Sequence, residues 1–235
     1  MFGYCGKREA DVQELFDGLK KACAGDPTLS SVAPGCSRHC HGWGYVIHAD
    51  NGLFHYRTAR SIYDDTIVLP KLEGNIRAIF HGRYASNESL MGHIFSHPFM
   101  ATDNHRTIFF AHNGGVTPNE INYPERKVDS EWAMEQIVGV KDMEPELRKV
   151  SQYNTKSALN LLILTIGREQ GTPASLQYFH YFHEGKPAEY YRMFEGEMPG
   201  GRVLVSSTMT MPEAKMENLK KLRPATFGAL SSLEL

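Results

Sequence analysis

The sequence predicts a single α+β domain over residues 1–235, in which antiparallel sheet packs on antiparallel sheet and helices cover the outer faces. Strand-type segments come first, helical segments follow, and strand-type segments return, without the alternation of strands and helices that builds parallel sheets. No internal repeat or low-complexity linker divides the chain. With 41% hydrophobic and 22% charged residues, the composition is typical of a globular protein.

The first half of the chain carries the clearest local signals. Apolar residues at helical spacing predict a helix over 9–23. Strands are predicted over 1–5, 42–48, 53–58, 75–84 and 106–112. Asn51-Gly52 separates two of these strands and is a strong hairpin signal. The last of them is predicted to stop at a turn formed by Asn113-Gly114-Gly115.

The second half is predicted from weaker patterns. Helices are expected over 129–138, with Asp129 as the N-cap, and over 155–168, where apolar residues fall on one helical face. A hairpin is expected from residues 176–183 and 188–194, and one more strand over 202–207. The last 25 residues show no clear pattern.

Charge and hydropathy exclude several classes of partner. A formal charge of −2 gives no reason to expect nucleic acid or an anionic membrane as a partner. No apolar run approaches the roughly 18–20 residues that span a bilayer, and no secretory signal is visible, so we expect no membrane association and a cytoplasmic location.

The four cysteines do not form a disulfide framework for a chain of this size. Cys36 and Cys40, beside His39 and His41, have a spacing that suits zinc, but structural zinc sites usually draw on a second pair and none exists here. We therefore expect a loop with two thiols, no metal and no cofactor.

Three positions have chemistry that suits an α-amino acid, and each has a structural alternative. Arg83 follows a predicted strand, where it can grip a carboxylate or simply lie on the surface. Asn113-Gly114 can supply two amide donors to an oxyanion or form a tight turn. Asp129 can hold an ammonium group or cap a helix.

The histidines and serines give no comparable indication of a catalytic or metal site. His81, His97 and His112 are expected to make structural hydrogen bonds rather than to bind metal. No Gly-x-Ser-x-Gly elbow is present to indicate a serine hydrolase.

Six segments, in this order, resemble the class II glutamine amidotransferase domain of the N-terminal-nucleophile hydrolase superfamily, in its stand-alone form. The matching segments are 39–45, 56–64, His81-Gly82-Arg83-Tyr84-Ala85-Ser86, Ser96-His97-Pro98-Phe99, Ala111-His112-Asn113-Gly114 and Asp129-Ser130-Glu131. The resemblance covers residues 1–170 and weakens beyond them.

The resemblance implies a four-layer αββα sandwich that hydrolyses glutamine, or a related γ-glutamyl amide, to glutamate and ammonia through a cysteine thioester. It implies that Arg83 binds the substrate α-carboxylate and Asp129 the α-ammonium, while the Asn113 side chain and the Gly114 N–H form the oxyanion hole. It also implies that Tyr84 and Ser86 line the substrate loop, that His97 supports it, and that Gly42 and Trp43 shape the pocket.

The sequence departs from the family at the nucleophile. In the family the first residue is a cysteine whose own α-amino group, with a pKa of roughly 8 in model peptides, is the base. Here Met1-Phe2-Gly3-Tyr4 matches the part of the strand that follows a Cys-Arg pair, so the nucleophilic cysteine is expected upstream of Met1. Cys5 is a weak substitute, because a charged segment follows it.

Three functions therefore stay open. The first is a glutamine amidohydrolase whose ammonia acceptor, a synthase subunit, lies on another chain. The second is a non-catalytic module that binds an amino acid or docks a partner on the same fold. The third is a metalloprotein built on Cys36 and Cys40.

Overall fold

Two antiparallel sheets form the centre of the computed structural model, which describes residues 1–118, 127–169 and 171–235. The strands are β1 (Phe2–Gly6), β2 (Trp43–Ala49), β3 (Gly52–Thr58), β4 (Ile76–Gly82), β5 (Phe99–Thr102), β6 (Arg106–Val116), β7 (Thr155–Gly167), β8 (Ser175–Phe179), β9 (Met193–Met198), β10 (Gly201–Ser206), β11 (Lys220–Pro224) and β12 (Leu230–Ser232). The α-helices are α1 (Glu9–Ala24), α2 (Asp129–Glu135), α3 (Glu144–Tyr153) and α4 (Ala188–Tyr191).

The strand orders define sheet A and sheet B. Sheet A has seven strands in the order β11-β9-β10-β1-β4-β2-β3, and sheet B has five in the order β12-β8-β7-β6-β5. The predicted α+β class with two antiparallel sheets is confirmed. The helix predicted over 9–23, the hairpin around Asn51-Gly52 and the strands near 1–5, 75–84 and 202–207 are also present.

Three apolar layers hold four layers of secondary structure together. Phe16 of α1 packs against Phe80 of β4 on the outer face of sheet A, with ring centroids 5.6 Å apart. Ile79 and Leu162 belong to the cluster between the two sheets, and Trp132 of α2 packs on the outer face of sheet B. Each such buried side chain contributes about 1.5–3 kcal/mol of hydrophobic stabilisation.

The helix predicted over 155–168 is wrong, because these residues form β7 in the centre of sheet B. Leu159, Leu161 and Ile163 face α2 and α3, whereas Leu162 and Leu164 face sheet A. A strand covered on both faces is apolar throughout, so its sequence also satisfies the spacing of an apolar helical face.

Two other predicted elements are corrected. The predicted turn at Asn113-Gly114-Gly115 does not form; β6 continues to Val116, with a register shift between Gly114 and Val116. The predicted hairpin near the C-terminal end is absent, because residues 188–191 form α4 instead of a strand.

Within the described ranges, none of the helices has both the length and the apolar character needed to cross a membrane.

Candidate functional site

A cavity of about 360 Å³, here called the first lobe, lies where β4 ends in sheet A and β6 ends in sheet B. Its volume lies within the range of small-molecule sites. The lobe brings together seven residues that the sequence predicted for one site: Arg83, Tyr84, Ser86, His97, Asn113, Gly114 and Asp129. These residues come from four separate segments of the chain, so the fold and not local sequence assembles them.

Gly42 and Trp43, the other two predicted pocket residues, are not part of the lobe lining. Trp43 is fully buried among the residues that pack under α1, and its indole N–H donates to Asp65 Oδ2 over 3.0 Å. The prediction that Trp43 shapes the pocket is therefore corrected, because its side chain is on the opposite face of sheet A. Gly42 acts on the lobe only indirectly, since its carbonyl accepts a hydrogen bond from the Arg83 backbone N–H at 2.9 Å.

Arg83 is a buried cation at the edge of the first lobe, with 7% of its surface exposed. Its Nη1 donates to the Leu90 carbonyl over 2.9 Å, which fixes the direction of the guanidinium. Burial lowers the pKa of Arg83 while the charge of Asp129 acts to raise it, and a guanidinium keeps its charge in proteins. No carboxylate lies within 4.0 Å of this guanidinium in the part of the chain that the structure describes.

Asp129 is tied to the end of β6. Its Oδ2 accepts a hydrogen bond of 2.9 Å from the Val116 N–H, which holds the first turn of α2 beside the strand. The prediction that Asp129 is the N-cap is wrong, because α2 begins at Asp129 itself and Val128 occupies the cap position. The Val128 N–H is satisfied by Glu131 Oε2 at 3.1 Å.

His112 and Ser130 form a second tie between β6 and α2. His112 Nε2 lies 3.2 Å from the Ala158 carbonyl, which can only accept, so this nitrogen carries the proton. Its Nδ1 then accepts from Ser130 Oγ at 2.9 Å. Burial lowers the pKa of His112, so the ring is neutral near pH 7. This structural role is the one predicted for His112. Its bond to Ser130 also holds in place the residue that follows Asp129.

Asn113 and Gly114 form part of the lobe lining from the end of β6. Asn113 is half-buried and has the same strand parity as Phe109 and Ala111, which face sheet A. Gly114 has a φ of 149°, and a Cβ there would lie 2.0 Å from the Ala158 carbonyl oxygen. Only glycine fits this close approach between β6 and β7. An amide side chain and a glycine backbone therefore occur side by side at the lining.

His81 and His97 pack against each other inside the lobe wall, with ring centroids 4.4 Å apart and ring planes inclined by 43°. The prediction that they make structural hydrogen bonds is wrong for three nitrogens: among the described residues, His81 Nδ1 and both ring nitrogens of His97 have no partner. Burial holds the pKa of both rings well below the ordinary value, so they are neutral near pH 7. Two uncharged rings thus pack beside Arg83, and neither neutralises the charge of its guanidinium.

A buried Asp26–His39 pair also borders the first lobe, and no motif in the sequence indicated it. His39, which is part of the lining, places Nε2 2.8 Å from Asp26 Oδ2. The other carboxylate oxygen accepts from the Thr28 N–H and hydroxyl at 2.9 and 2.7 Å. Burial alone would raise the pKa of Asp26, but hydrogen bonds from His39 and Thr28 outweigh it and hold that pKa below its ordinary value.

We expect Asp26→Asn to lower the free energy of unfolding by about 1–3 kcal/mol at pH 7, because it removes a charge-assisted hydrogen bond to His39. A carboxyl whose pKa falls on folding stabilises the protein above its unfolded pKa of about 3.9, and that stabilisation is lost as pH falls through the folded pKa. Urea unfolding at several pH values should therefore show the two proteins converging below about pH 4.

The control is Asp17→Asn, which changes an exposed carboxylate of α1 and should alter stability by less than about 0.5 kcal/mol. A pH-independent difference between Asp26→Asn and the parent chain would contradict the linkage.

The cysteines lie outside the chemistry of the lobe. Cys5, 2% exposed, packs between the sheets and is not part of the lining, and burial raises the pKa of its thiol. Its thiol is therefore not exposed to the first lobe. Cys36 Sγ lies 3.1 Å from the Tyr84 hydroxyl, and Cys40 is exposed. Across residues 1–118, 127–169 and 171–235, no group of three or more His, Cys, Asp or Glu is arranged to hold a metal ion.

The lining also includes four residues that no sequence motif predicted, namely Lys156, Tyr190, Ser206 and Thr208. Lys156 lies in the segment that was assigned to a helix, which gave it no connection to Asn113. Ser206 Oγ accepts a hydrogen bond from the Met1 α-amino group at 3.0 Å. The only sequence signal for Ser206 and Thr208 is a run of hydroxyl residues at the end of the strand predicted over 202–207.

Comparisons with known proteins give little further information. No family model and no curated protein matches the chain. One solved structure that it resembles is the crystal structure of a predicted glutamine amidotransferase from Pseudomonas aeruginosa PA01. The two share 16% identity over 86% of this chain and 88% of that one, with a TM-score of 0.49.

Proposed function

We propose that the first lobe binds the α-amino-acid end of glutamine or a related γ-glutamyl amide, and that the domain is a class II glutamine amidotransferase-type hydrolase. One observation carries the proposal: Arg83, Asn113, Gly114 and Asp129, from distant parts of the chain, line one cavity. A fixed cation, a carboxylate and amide donors are the groups that a zwitterion with a side-chain amide requires.

Arg83 and Asp129 are assigned to the two charged groups of the amino acid. A guanidinium can hold a carboxylate through two parallel N–H bonds, and the buried Arg83 has one Nη already oriented by Leu90. The substrate carboxylate would supply the direct ion pair that Arg83 does not make with any described residue. Asp129 keeps acceptor capacity beyond its bond to Val116, enough for an ammonium group.

Asn113 and Gly114 are assigned to the side-chain amide. Attack on its carbonyl places negative charge on oxygen, and amide donors aimed at that oxygen stabilise the transition state. Each such donor is worth about 3–4 kcal/mol in well-studied hydrolases. The glutamyl carbonyl would then lie at the end of β6, several bonds from the groups that hold the α-carbon.

Hydrolysis through a thioester needs a thiol, and none of the described lining residues carries one. The strand register says where a thiol would fit. Phe2 lies opposite Phe80, so continuing that register beyond the end of β4 would place a residue two positions before Met1 opposite Arg83. On the other side of β1, β10 ends at Ser206 and Thr208 lies in a short 3-10 helix. By strand alternation its side chain would share the face of Met1 and Cys5, toward sheet B.

The test is the glutaminase activity of the chain preceded by Cys-Arg, produced by cleaving a fusion so that cysteine is the first residue. Ala-Arg in the same position is the matched control. We expect ammonia release from glutamine only with Cys-Arg, because the thiolate attacks the amide and the free α-amino group accepts the thiol proton. Equal activity of the two extended chains would contradict the assignment of the nucleophile.

A non-catalytic amino-acid-binding module is the second candidate, and the lack of a thiol among the described lining residues favours it for residues 1–235 as they stand. A measurement of glutamine binding distinguishes the hydrolase and the binding module from the case in which the first lobe is not a glutamine site. Calorimetry that detects glutamine on the 235-residue chain, with no turnover by the Cys-Arg form, would support the module. Failure of glutamine to bind either chain would contradict both.

A further inference from the structure

A second lobe of about 430 Å³ adjoins the first. Seven residues line both lobes and so mark the junction: Tyr84, Ser86, Asn113, Gly114, Gly115, Lys156 and Tyr190. Arg83 and Asp129 line only the first lobe. A substrate held by these two residues, with its amide at Asn113-Gly114, would therefore direct the nitrogen side of that amide into the second lobe.

The second lobe is positively charged. Its described lining includes Lys156 and Lys186 and no acidic side chain. The two lysines come together because the turn that carries Lys186 is held to β7: the His183 N–H donates to the Ser157 carbonyl, and the Lys186 N–H to the His183 carbonyl, at 3.0 and 3.1 Å. Within the described residues, neither lysine has a carboxylate within 4.0 Å.

Ammonia does not account for this lobe. It is about the size of one water molecule, which takes roughly 30 Å³ of liquid volume, and it gains nothing from two ammonium neighbours. Like charges that share a small site repel each other unless an anion joins them. Tyr190 and Tyr191 form an aromatic side of the same lobe, with ring centroids 4.9 Å apart. The volume, the charge and the rings together suit an organic acid.

We propose that the second lobe binds the amine portion of γ-glutamyl amides in which that portion carries a carboxylate, as in γ-glutamyl amino acids, with Lys156 and Lys186 as the carboxylate partners. This inference rests on the proposed function of the first lobe. In the reaction the thiol sulfur bonds to the γ-carbonyl carbon as the C–N bond breaks, and the thiol proton leaves on the amine. The amine is thereby released as a free amino acid. Water then cleaves the thioester, which gives glutamate and returns the proton to the thiol.

Binding to the 235-residue chain tests the second lobe without any turnover. The probes for calorimetry are L-glutamine, γ-glutamylglycine and γ-glutamylglycinamide, of which the last two differ only in the terminal carboxylate. We expect γ-glutamylglycine to bind about three- to tenfold more tightly than its amide at low salt, as two solvent-accessible ion pairs allow. The preference should shrink as salt screens the lysines.

Lys186→Met should reduce this preference to what Lys156 alone supports and leave the affinity for L-glutamine unchanged, because Lys186 lines the second lobe alone. Lys141→Met is the matched control, since it removes an exposed lysine that lines neither lobe, and it should change nothing. Both sites are exposed, so the variants should fold, which thermal unfolding checks.

Two results would overturn the inference in distinguishable ways. Equal affinities for γ-glutamylglycine and its amide, with L-glutamine still bound, would refute the second lobe and leave the proposed function intact. Absence of binding for all three probes would refute both.

Discussion

Arg83→Met is expected to weaken binding of L-glutamine about a hundredfold, which corresponds to about 2.8 kcal/mol. Methionine replaces the unbranched apolar stem of arginine and tolerates burial, but it cannot donate to a carboxylate. The loss should be equally large for γ-glutamylglycine, because both ligands present the same α-carboxylate. Arg83→Lys should keep only part of the affinity, since an ammonium cannot form two parallel bonds. Calorimetry on the folded variants measures these losses.

Arg57→Met is the control for the loss of a partly buried guanidinium. Arg57 Nη1 also donates to backbone carbonyls, those of Ile94 and Ser96, but Arg57 is not part of the lining of either lobe. It should lower stability and leave glutamine affinity within about twofold, or about 0.4 kcal/mol. Equal losses of affinity in Arg57→Met and Arg83→Met would show that the effect of Arg83 is structural and not due to contact with ligand.

Gly114→Ala is expected to lower the free energy of unfolding by about 3 kcal/mol or more. The new Cβ would lie 2.0 Å from the carbonyl oxygen and 2.5 Å from the carbonyl carbon of Ala158, at a φ of 149°. These are backbone atoms in the centre of sheet B, so β6 and β7 must separate for the methyl group to fit. Urea or thermal unfolding measures the change.

Gly115→Ala is the matched control one residue away. Its Cβ would meet only the Ser157 hydroxyl at 3.3 Å, which is the end of a side chain that can move, and Asp129 Oδ2 at 3.8 Å, which is an ordinary van der Waals distance. It should cost less than about 1 kcal/mol. If both variants were equally stable, the close approach of β6 and β7 at Gly114 would be wrong, and with it the position of the Gly114 N–H.

Residue chemistry in short segments predicted the members of the first lobe but not how they are held. Arg83 and Asn113-Gly114 were identified because few residue types can bind a carboxylate or an oxyanion. Asp129 was identified for its charge, yet its bond to Val116 crosses from helix to strand and has no local signature. The Asp26–His39 pair lies in an irregular loop, where no periodicity indicates which side chains turn inward.

The second lobe could not be predicted from the sequence, for a different reason. A helix predicted over 155–168 would place Lys156 on a helical surface, whereas the strand β7 places it beside Asn113 and Gly114. The apolar run that makes β7 the centre of sheet B is compatible with either structure, and only burial on both faces decides between them. Trp43 is the opposite case. Its sequence segment resembles the glutamine amidotransferase motif, but its side chain packs in the hydrophobic core and does not line the site.

The most direct measurement is a crystal structure of the chain with L-glutamine. We expect the α-carboxylate to accept two hydrogen bonds from Arg83, the α-ammonium to donate to Asp129, and the side-chain carbonyl to lie within hydrogen-bonding distance of Asn113 and the Gly114 N–H. Glutamine bound with its α-carboxylate away from Arg83, or an empty first lobe at saturating glutamine, would contradict the account.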